Sequence, residues 1–327
     1  MKKVVVLILS LFIAFSITSC GLDDNLRWGF IDKEGNMVIE PKFSQAYFFS
    51  DGLAPVWVGY RDVGKWGFID KSGELKIGME YDHTRGFNDG LAAVRIGEKD
   101  RGTWSYINKE GEVVLETDFY DATVFTEGLA PVRVGDDKTG KWGYIDISGS
   151  FVIEAKFDIG NIFREGLAPI RIGNDQSGKW GYIDKTGEII IEPKYTYVGT
   201  FNESMAQFKK SSKPDDTDWG FIDKTGNVAI EPVYKWANGF GDGLAAVQTA
   251  EGKWGFIDKT GKMIIEPQFN NASSFSEGLC AVDLGDEYNP KWGFIDKKGE
   301  LVIEAQFVSA INFSEELAPV CVDIKKK

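Results

Sequence analysis

Lys253-Trp254-Gly255-Phe256-Ile257-Asp258-Lys259-Thr260-Gly261 decides the architecture, because it returns with small changes along almost the whole chain. Its anchor is a Trp, usually followed by Gly: Trp28, Trp66, Trp104, Trp142, Trp180, Trp219, Trp254 and Trp292. The spacings are 38, 38, 38, 38, 39, 35 and 38 residues. A fixed period of this length marks one supersecondary unit repeated, with neighbours stacking to bury a shared core. Two residues after each Trp lies Phe or Tyr, seven after it lies Gly, fifteen after it Phe or Tyr again, and twenty-one after it Phe. These four aromatic positions hold 32 of the chain's 44 aromatic residues. The core is therefore a repeated core, and the two domains that 327 residues would otherwise suggest are not needed.

Each copy reads as three β-strands. The first alternates, with Trp254 and Phe256 on one face and Gly255 and Ile257 on the other. A tight turn follows at Asp-Lys-Thr-Gly, where Gly supplies a positive φ. The second strand, Met263-Ile264-Ile265-Glu266-Pro267, carries three successive apolar residues, which predicts burial on both faces. The third follows Glu-Gly-Leu-Ala, as in Leu129-Ala130-Pro131-Val132-Arg133-Val134. From each Trp to the Gly position of Glu-Gly-Leu-Ala is 24 residues in all eight copies. Every length change falls between the third strand and the next Trp, in Gly/Asp/Lys-rich stretches such as 135–140. That segment reads as an exposed hairpin loop. The constant connector that carries the Phe reads as packed and as crossing to the next unit.

The fold is thus all-β: eight tandem three-stranded antiparallel repeats. The chain opens on strands one and two of a unit and ends on a lone third strand at 317–324. In a closed ring that last strand completes the first sheet and removes two exposed edges. A closed, eight-bladed propeller-like ring is therefore favoured, with an open β-solenoid or superhelix as the alternative.

Lys-Trp-Gly-Phe-Ile-Asp-Lys-x-Gly, then Ile-Glu-Pro-x-Phe, then Phe-x-Glu-Gly-Leu-Ala resembles the bacterial WG (or KWG) repeat family. The resemblance covers about residues 26–324, with the eight repeats at 27–324. It implies a β-rich repeat, often on exported proteins, with no general biochemical activity attached. Copy three departs with Trp104-Ser105 and Asn108, copy two with Lys76 and Gly78, and copy five with Ser204-Met205-Ala206 followed by Lys209-Lys210-Ser211-Ser212-Lys213-Pro214.

Residues 1–19 read as a separate object. Lys2 and Lys3 precede an apolar run from Val4 to Phe15, too short to span a bilayer, and Ile17-Thr18-Ser19-Cys20 resembles a bacterial lipobox. The expectation is a lipoprotein signal peptide at 1–19, a lipidated Cys20 opening a short linker to residue 26, and a basic tail at 325–327. The place implied is the bacterial cell envelope, lipid-anchored and extracytoplasmic, at the outer membrane where the cell has one. Without residues 1–19 the chain holds 35 basic and 50 acidic side chains. That balance disfavours nucleic acid and anionic lipid as partners, since no basic stripe can release phosphate counterions. Membrane attachment would rest on the N-terminal lipid alone, and the protein is expected to be a monomer.

Candidate chemistry is sparse. The single His83 has no second His and reads as an exposed structural residue. No phosphate-binding loop, His-Glu-x-x-His, nucleophile elbow or Cys-x-x-Cys occurs. Cys280 stands where other copies have Ala and reads as a small core residue, pointing away from the face of Cys321. The repeated Asp32, Asp70, Asp146, Asp184, Asp223, Asp258 and Asp296 suit either calcium sites or tight-turn hydrogen bonding, and the lack of a second recurrent acid favours the turn. Glu40, Glu116, Glu154, Glu192, Glu231, Glu266 and Glu304 lie in the apolar second strand. Their expected partners are Lys65, Lys141, Lys179, Lys253, Lys291 and Arg27 on the first. The eight repeat tryptophans read as core. Aromatics outside the pattern are the better ligand candidates: Trp57, Tyr60, Tyr120, Tyr197, Trp236 and Tyr288, with Tyr47 beside them. No catalytic residue, metal site or cofactor is expected. The function implied is a non-catalytic surface scaffold for a protein or envelope glycan; the alternative is an exported enzyme with one asymmetric site on the loop face or in a central channel.

Overall fold

The computed structural model describes residues 25–60, 63–98, 102–174, 177–210, 218–286 and 288–325. Residues 1–19 and Cys20, and with them the signal-peptide and lipidation expectations, lie outside the described residues. The chain folds as eight antiparallel sheets arranged in a ring, a β-propeller of eight blades. We number the blades by the repeat Trp each contains.

Blade 2 shows the plan. Gln45–Ala46, Ala54–Tyr60, Val63–Ile69 and Leu75–Tyr81 are hydrogen-bonded in that order. Each blade therefore has four strands, not three. The fourth is a two-residue strand within the connector, joined to the preceding blade's last strand by the single residue Ser44. The connector crosses between units as its fixed length requires. Two residues cannot display a period, so this strand leaves no alternation to read.

Blade 1 is built from both ends of the chain. Its order is Met37–Phe43, Leu26–Ile31, Ala318–Asp323 and Ser309–Ala310. Trp28 lies opposite Cys321 and Phe30 opposite Pro319. The displaced phase of the repeats thus closes the ring.

The second-strand expectation needs correction. Met37–Phe43 buries Ile39 and Phe43 and exposes Val38, Glu40 and Lys42. This strand is the blade's edge and has one packed side. Met37, Ile39, Pro41 and Phe43 face inward by plain alternation, and the register slips because Trp28 pairs with Phe43 and Phe30 with Ile39, so Gly29 alone faces residues 40–42. That is a β-bulge, and it explains the Gly of Trp-Gly. A Cβ on Gly143 would lie 2.6 Å from the Ile153 carbonyl oxygen and 2.7 Å from the Ala155 nitrogen. The recurrent glutamates therefore face solvent, and the first-strand lysines reach other partners. Lys65 Nζ lies 2.7 Å from Asp82, and Lys141 Nζ 2.6 Å from Asp158.

Three repeated contacts join neighbouring blades. The aromatic at Trp+2 meets the connector Phe of the next blade at 4.7–5.0 Å between ring centroids in all eight pairs, from Phe30–Phe49 round to Phe294–Phe313. Tyr106, Tyr144 and Tyr182 also donate their hydroxyls to connector carbonyls at 2.7–2.9 Å. The turn glycine packs on the edge-strand Ile of the previous blade, as Gly73 does on Ile39. Finally, the Asp or Glu before Gly-Leu-Ala takes a left-handed backbone and accepts an amide from the next blade. Asp51 accepts from Gly90, Asp89 from Gly128, Glu127 from Gly166, and the series continues round the ring. Lys185 and Lys224 add ion pairs to Glu127 and Glu165 at 3.1 and 2.9 Å.

Candidate functional site

The antiparallel course of each blade gives the ring two unlike faces. One carries the Asp turns and the carboxylate latches and is nearly the same in every blade. There each Asp accepts amides two and four residues on: Asp258 Oδ1 takes Thr260 N at 2.8 Å and Lys262 N at 3.1 Å. This is the turn reading, and these bonds hold the Asp70 carboxyl down at about 2, led by the Ser72 hydroxyl. Among the described residues no group of three or more His, Cys, Asp or Glu is placed to hold a metal ion.

The other face carries the length-variable hairpins. On it, cross-strand rows run from the two-residue strand to the edge strand. In blade 4 the row is Asp121, Arg133, Trp142 and Phe157. Trp and the final aromatic recur in these rows, whereas the first two members differ from blade to blade. They are His83 and Arg95 in blade 3, Tyr197 and Lys209 in blade 6, and Trp236 and Gln248 in blade 7. The varied chemistry of the chain is thus gathered on the hairpin face.

Seven repeat tryptophans are buried, and Trp142 is half-buried. Of the aromatics outside the pattern, the structure brings Tyr197 and Trp236 together. Trp180 and Tyr197 lie 5.7 Å apart, Tyr197 and Trp219 5.3 Å, and Trp219 and Trp236 4.7 Å. The run crosses blades 5, 6 and 7 and ends on Trp236, which is 40% exposed. Burial pushes the Tyr197 phenol well above its ordinary range, so it stays protonated as a donor.

Trp57 is 7% exposed and belongs to a core cluster with Trp66 and Phe68, which removes it from the exposed aromatics. Tyr47 stacks on Trp66 at 5.1 Å with rings 11° apart. Tyr120 is half-buried under the Arg133 guanidinium, 5.5 Å from its ring centre. Tyr288 is 84% exposed in a hairpin loop. The side chain of Tyr60 lies outside the described residues.

His83 is not the exposed residue the sequence suggested. Its ring meets Trp104 edge-on at 5.6 Å, and the Arg85 and Arg95 guanidinium groups lie 5.3 and 5.4 Å from the same indole. Burial, then the charges of Arg85 and Arg95, hold His83 down at about 3, so it is neutral across the physiological range. Arg85 also pairs with Asp121 of blade 4 at 3.0 Å. Arg85 lies two residues on, but Arg95 and Trp104, 12 and 21 residues away, complete this environment, and a local sequence window does not contain them. Cys280 is a buried free thiol in the core between blades 7 and 8.

Solved propellers share this architecture. BamB from Moraxella catarrhalis aligns with a TM-score of 0.50 at 11% identity, covering 85% of this chain and 95% of that one. The acylaminoacyl peptidase of Pyrococcus horikoshii aligns at 0.51 and 10%, over 80% of this chain. A prolyl endopeptidase aligns at 0.59 and 9%, over 87%. This chain spans about half the length of each of those peptidases, 52% and 49%. At such identities the likeness concerns the fold alone. No curated protein sequence matches the chain. The profile of the WG containing repeat matches eight times, at residues 28–59, 66–99, 104–138, 142–174, 180–213, 219–254, 254–288 and 292–325. The chain therefore belongs to the WG containing repeat family.

Proposed function

We propose that this protein is a non-catalytic binding scaffold, a monomer held outside a bacterial cell by a lipid on Cys20, whose hairpin face recognises a protein or an envelope glycan. The observation that carries the reading is the aromatic run Trp180–Tyr197–Trp219–Trp236, which crosses three blades and surfaces at Trp236. Stacked aromatics offer apolar area with little rotamer freedom to lose, and a protonated phenol adds a donor. The repeated residues support the same reading from the other side. They are engaged in holding blades together, which leaves the hairpin face free to vary. The one His is neutral and enclosed by arginines, a poor arrangement for proton transfer near pH 7.

Proximity labelling on intact cells, together with a glycan array probed with the purified chain, tests the binding reading. The expected result is one partner or glycan class whose capture is lost with Trp236→Ala. A turnover abolished by a single loop carboxylate substitution would overturn the non-catalytic part. Cys20→Ser should abolish metabolic labelling with radioactive palmitate and release the protein from the membrane fraction. Unchanged labelling would remove the lipid anchor.

A further inference from the structure

Blade 3 breaks the pattern of the other seven along one edge. Ser105 stands where every other copy has the Gly that faces the bulge. The blade answers by losing the bulge there. Tyr106 pairs with Leu115 and Ser105 with Glu116 in direct succession, and the edge strand ends after four residues, Val113–Glu116, instead of seven. Beyond it Thr117 turns back, its hydroxyl donating to the Trp104 carbonyl at 2.8 Å. Phe119 is half-buried, as is its counterpart Tyr234, whereas Phe43, Phe157 and Phe269 are 4%, 1% and 2% exposed.

The displaced strand leaves a cleft of about 660 Å3 between blade 3 and Gly149 of blade 4. That is within the usual range of ligand pockets, about 300–1,000 Å3. Its lining is where copy three departs from the repeat. Thr103 replaces the usual Lys or Arg, Ser105 the Gly, and Leu115 the Ile of all other copies. Thr117 replaces Pro, Ala or Met. Asp118 stands at a position that varies between copies, with Lys42, Lys156 and Lys194 over the ring that follows them in three and Glu80 in copy two. Four departures that share one cavity are unlike scattered drift.

We propose that this cleft is a saccharide-binding site that takes a neutral or amine-bearing sugar chain. Three hydroxyls and the exposed Glu116 and Asp118 carboxylates line it, and no cation does. Carboxylates accept hydrogen bonds from adjacent sugar hydroxyls or from an ammonium group, and they repel uronic acids. Phe119, half-buried and packed edge-on against Phe151 at 5.7 Å, lines the cleft and offers its exposed part to the apolar C–H side of a pyranose. The proposal rests on the reading of the chain as a binding scaffold and places one ligand class at a position remote from Trp236.

Isothermal calorimetry on the full chain tests it, with chitotetraose, its de-N-acetylated tetramer and tetragalacturonate as probes. The first two should bind and the third should not. Asp118→Asn, at an exposed side chain, should weaken the de-acetylated tetramer roughly tenfold, the effect of one charge-assisted hydrogen bond. Ser105→Gly with Thr117→Pro restores the repeat and should abolish binding of both sugars while the melting temperature holds or rises. Equal binding by the repeat-restored protein, or loss only with Trp236→Ala, overturns the cleft and leaves the scaffold reading standing. Absence of binding by the unaltered chain, or equal binding of tetragalacturonate, overturns the saccharide assignment.

Discussion

Glu315 accepts the backbone amide of Gly52 through both carboxylate oxygens, at 3.1 and 3.2 Å, across 263 residues of chain. Glu127 makes the same contact to Gly166, and Asp242 accepts from Gly278 through Oδ2, at only 39 and 36 residues on. Lys71 adds an ion pair to Glu315 at 3.3 Å, and the neighbouring Ser314 hydroxyl donates to the Phe49 carbonyl at 2.7 Å. The latch that joins each blade to the next is therefore also the latch that joins the end of the chain to its beginning.

A chain ending at residue 316 lacks the strand Ala318–Asp323, which lies between Leu26–Ile31 and Ser309–Ala310. It loses the buried Leu317, Ala318 and Val320 and exposes two new sheet edges in blade 1. Removing several buried apolar side chains costs several kcal/mol, so the melting temperature should fall by roughly 10 °C and the transition should broaden. Scanning calorimetry checks this. A sharp transition at an unchanged temperature would mean that blade 1 contributes nothing to the cooperative unit.

The Trp-Gly glycine gives a second prediction. A Cβ on Gly255 would lie 2.6 Å from the Ile265 carbonyl oxygen and 2.9 Å from the Pro267 nitrogen, both backbone atoms of the bulge. Backbone cannot yield as a flexible side chain can. Gly255→Ala should therefore destabilise the chain by about 1–3 kcal/mol, read from urea unfolding. Blade 3 shows what accommodation requires, since at Ser105 the bulge itself is gone.

The sequence made the period, the Asp turn, the phase of the ends and the family legible, because each depends on residues close in the chain or repeated at a fixed interval. The two-residue strand Gln45–Ala46 escaped, since nothing so short can alternate. Exposure of Glu40 and its counterparts escaped because the edge strand carries apolar residues on its outer side too, such as Val38, which hides the alternation in an unbroken apolar run. Among the candidate ligand aromatics, Trp236 and Tyr288 are exposed and Trp57 is core. All three look alike in sequence. What separates them is the neighbouring side chains, such as Tyr47 and Trp66 beside Trp57.

Burial of His83 leads to a pH dependence. Its folded value, about 3, lies below the unfolded 6.5, so the unfolded chain binds the extra proton in between. Stability from this group is complete above 6.5 and is lost as pH falls from 6.5 toward 3. The turn carboxylates act in a lower window. Asp70, held at about 2 against an ordinary 3.8, loses its contribution only as pH falls below 3.8. Glu165, against the cost of its burial, is held below an ordinary 4.5 by Lys224 and backbone amides and enters only below 4.5, so between 6.5 and 4.5 the slope reports His83. Urea unfolding across that range should show a decline of about 2–3 kcal/mol that His83→Gln largely removes. An identical slope in the variant would place the proton elsewhere.

Trp219 and Trp236 touch at 4.7 Å yet should respond oppositely to truncation. Trp219 is 4% exposed and packs with Phe221, Phe240 and Ile257, so Trp219→Ala should cost about 3–5 kcal/mol through the cavity it leaves. Trp236 is 40% exposed at an edge strand, so Trp236→Ala should stay within about 1 kcal/mol. If the aromatic run is a recognition surface, the cheap substitution is the one that removes binding. Capture of the hairpin-face partner should fall at least tenfold with Trp236→Ala at unchanged fold, read by far-ultraviolet circular dichroism beside a binding isotherm. A variant that keeps full binding would reduce the run to core packing that happens to reach the surface.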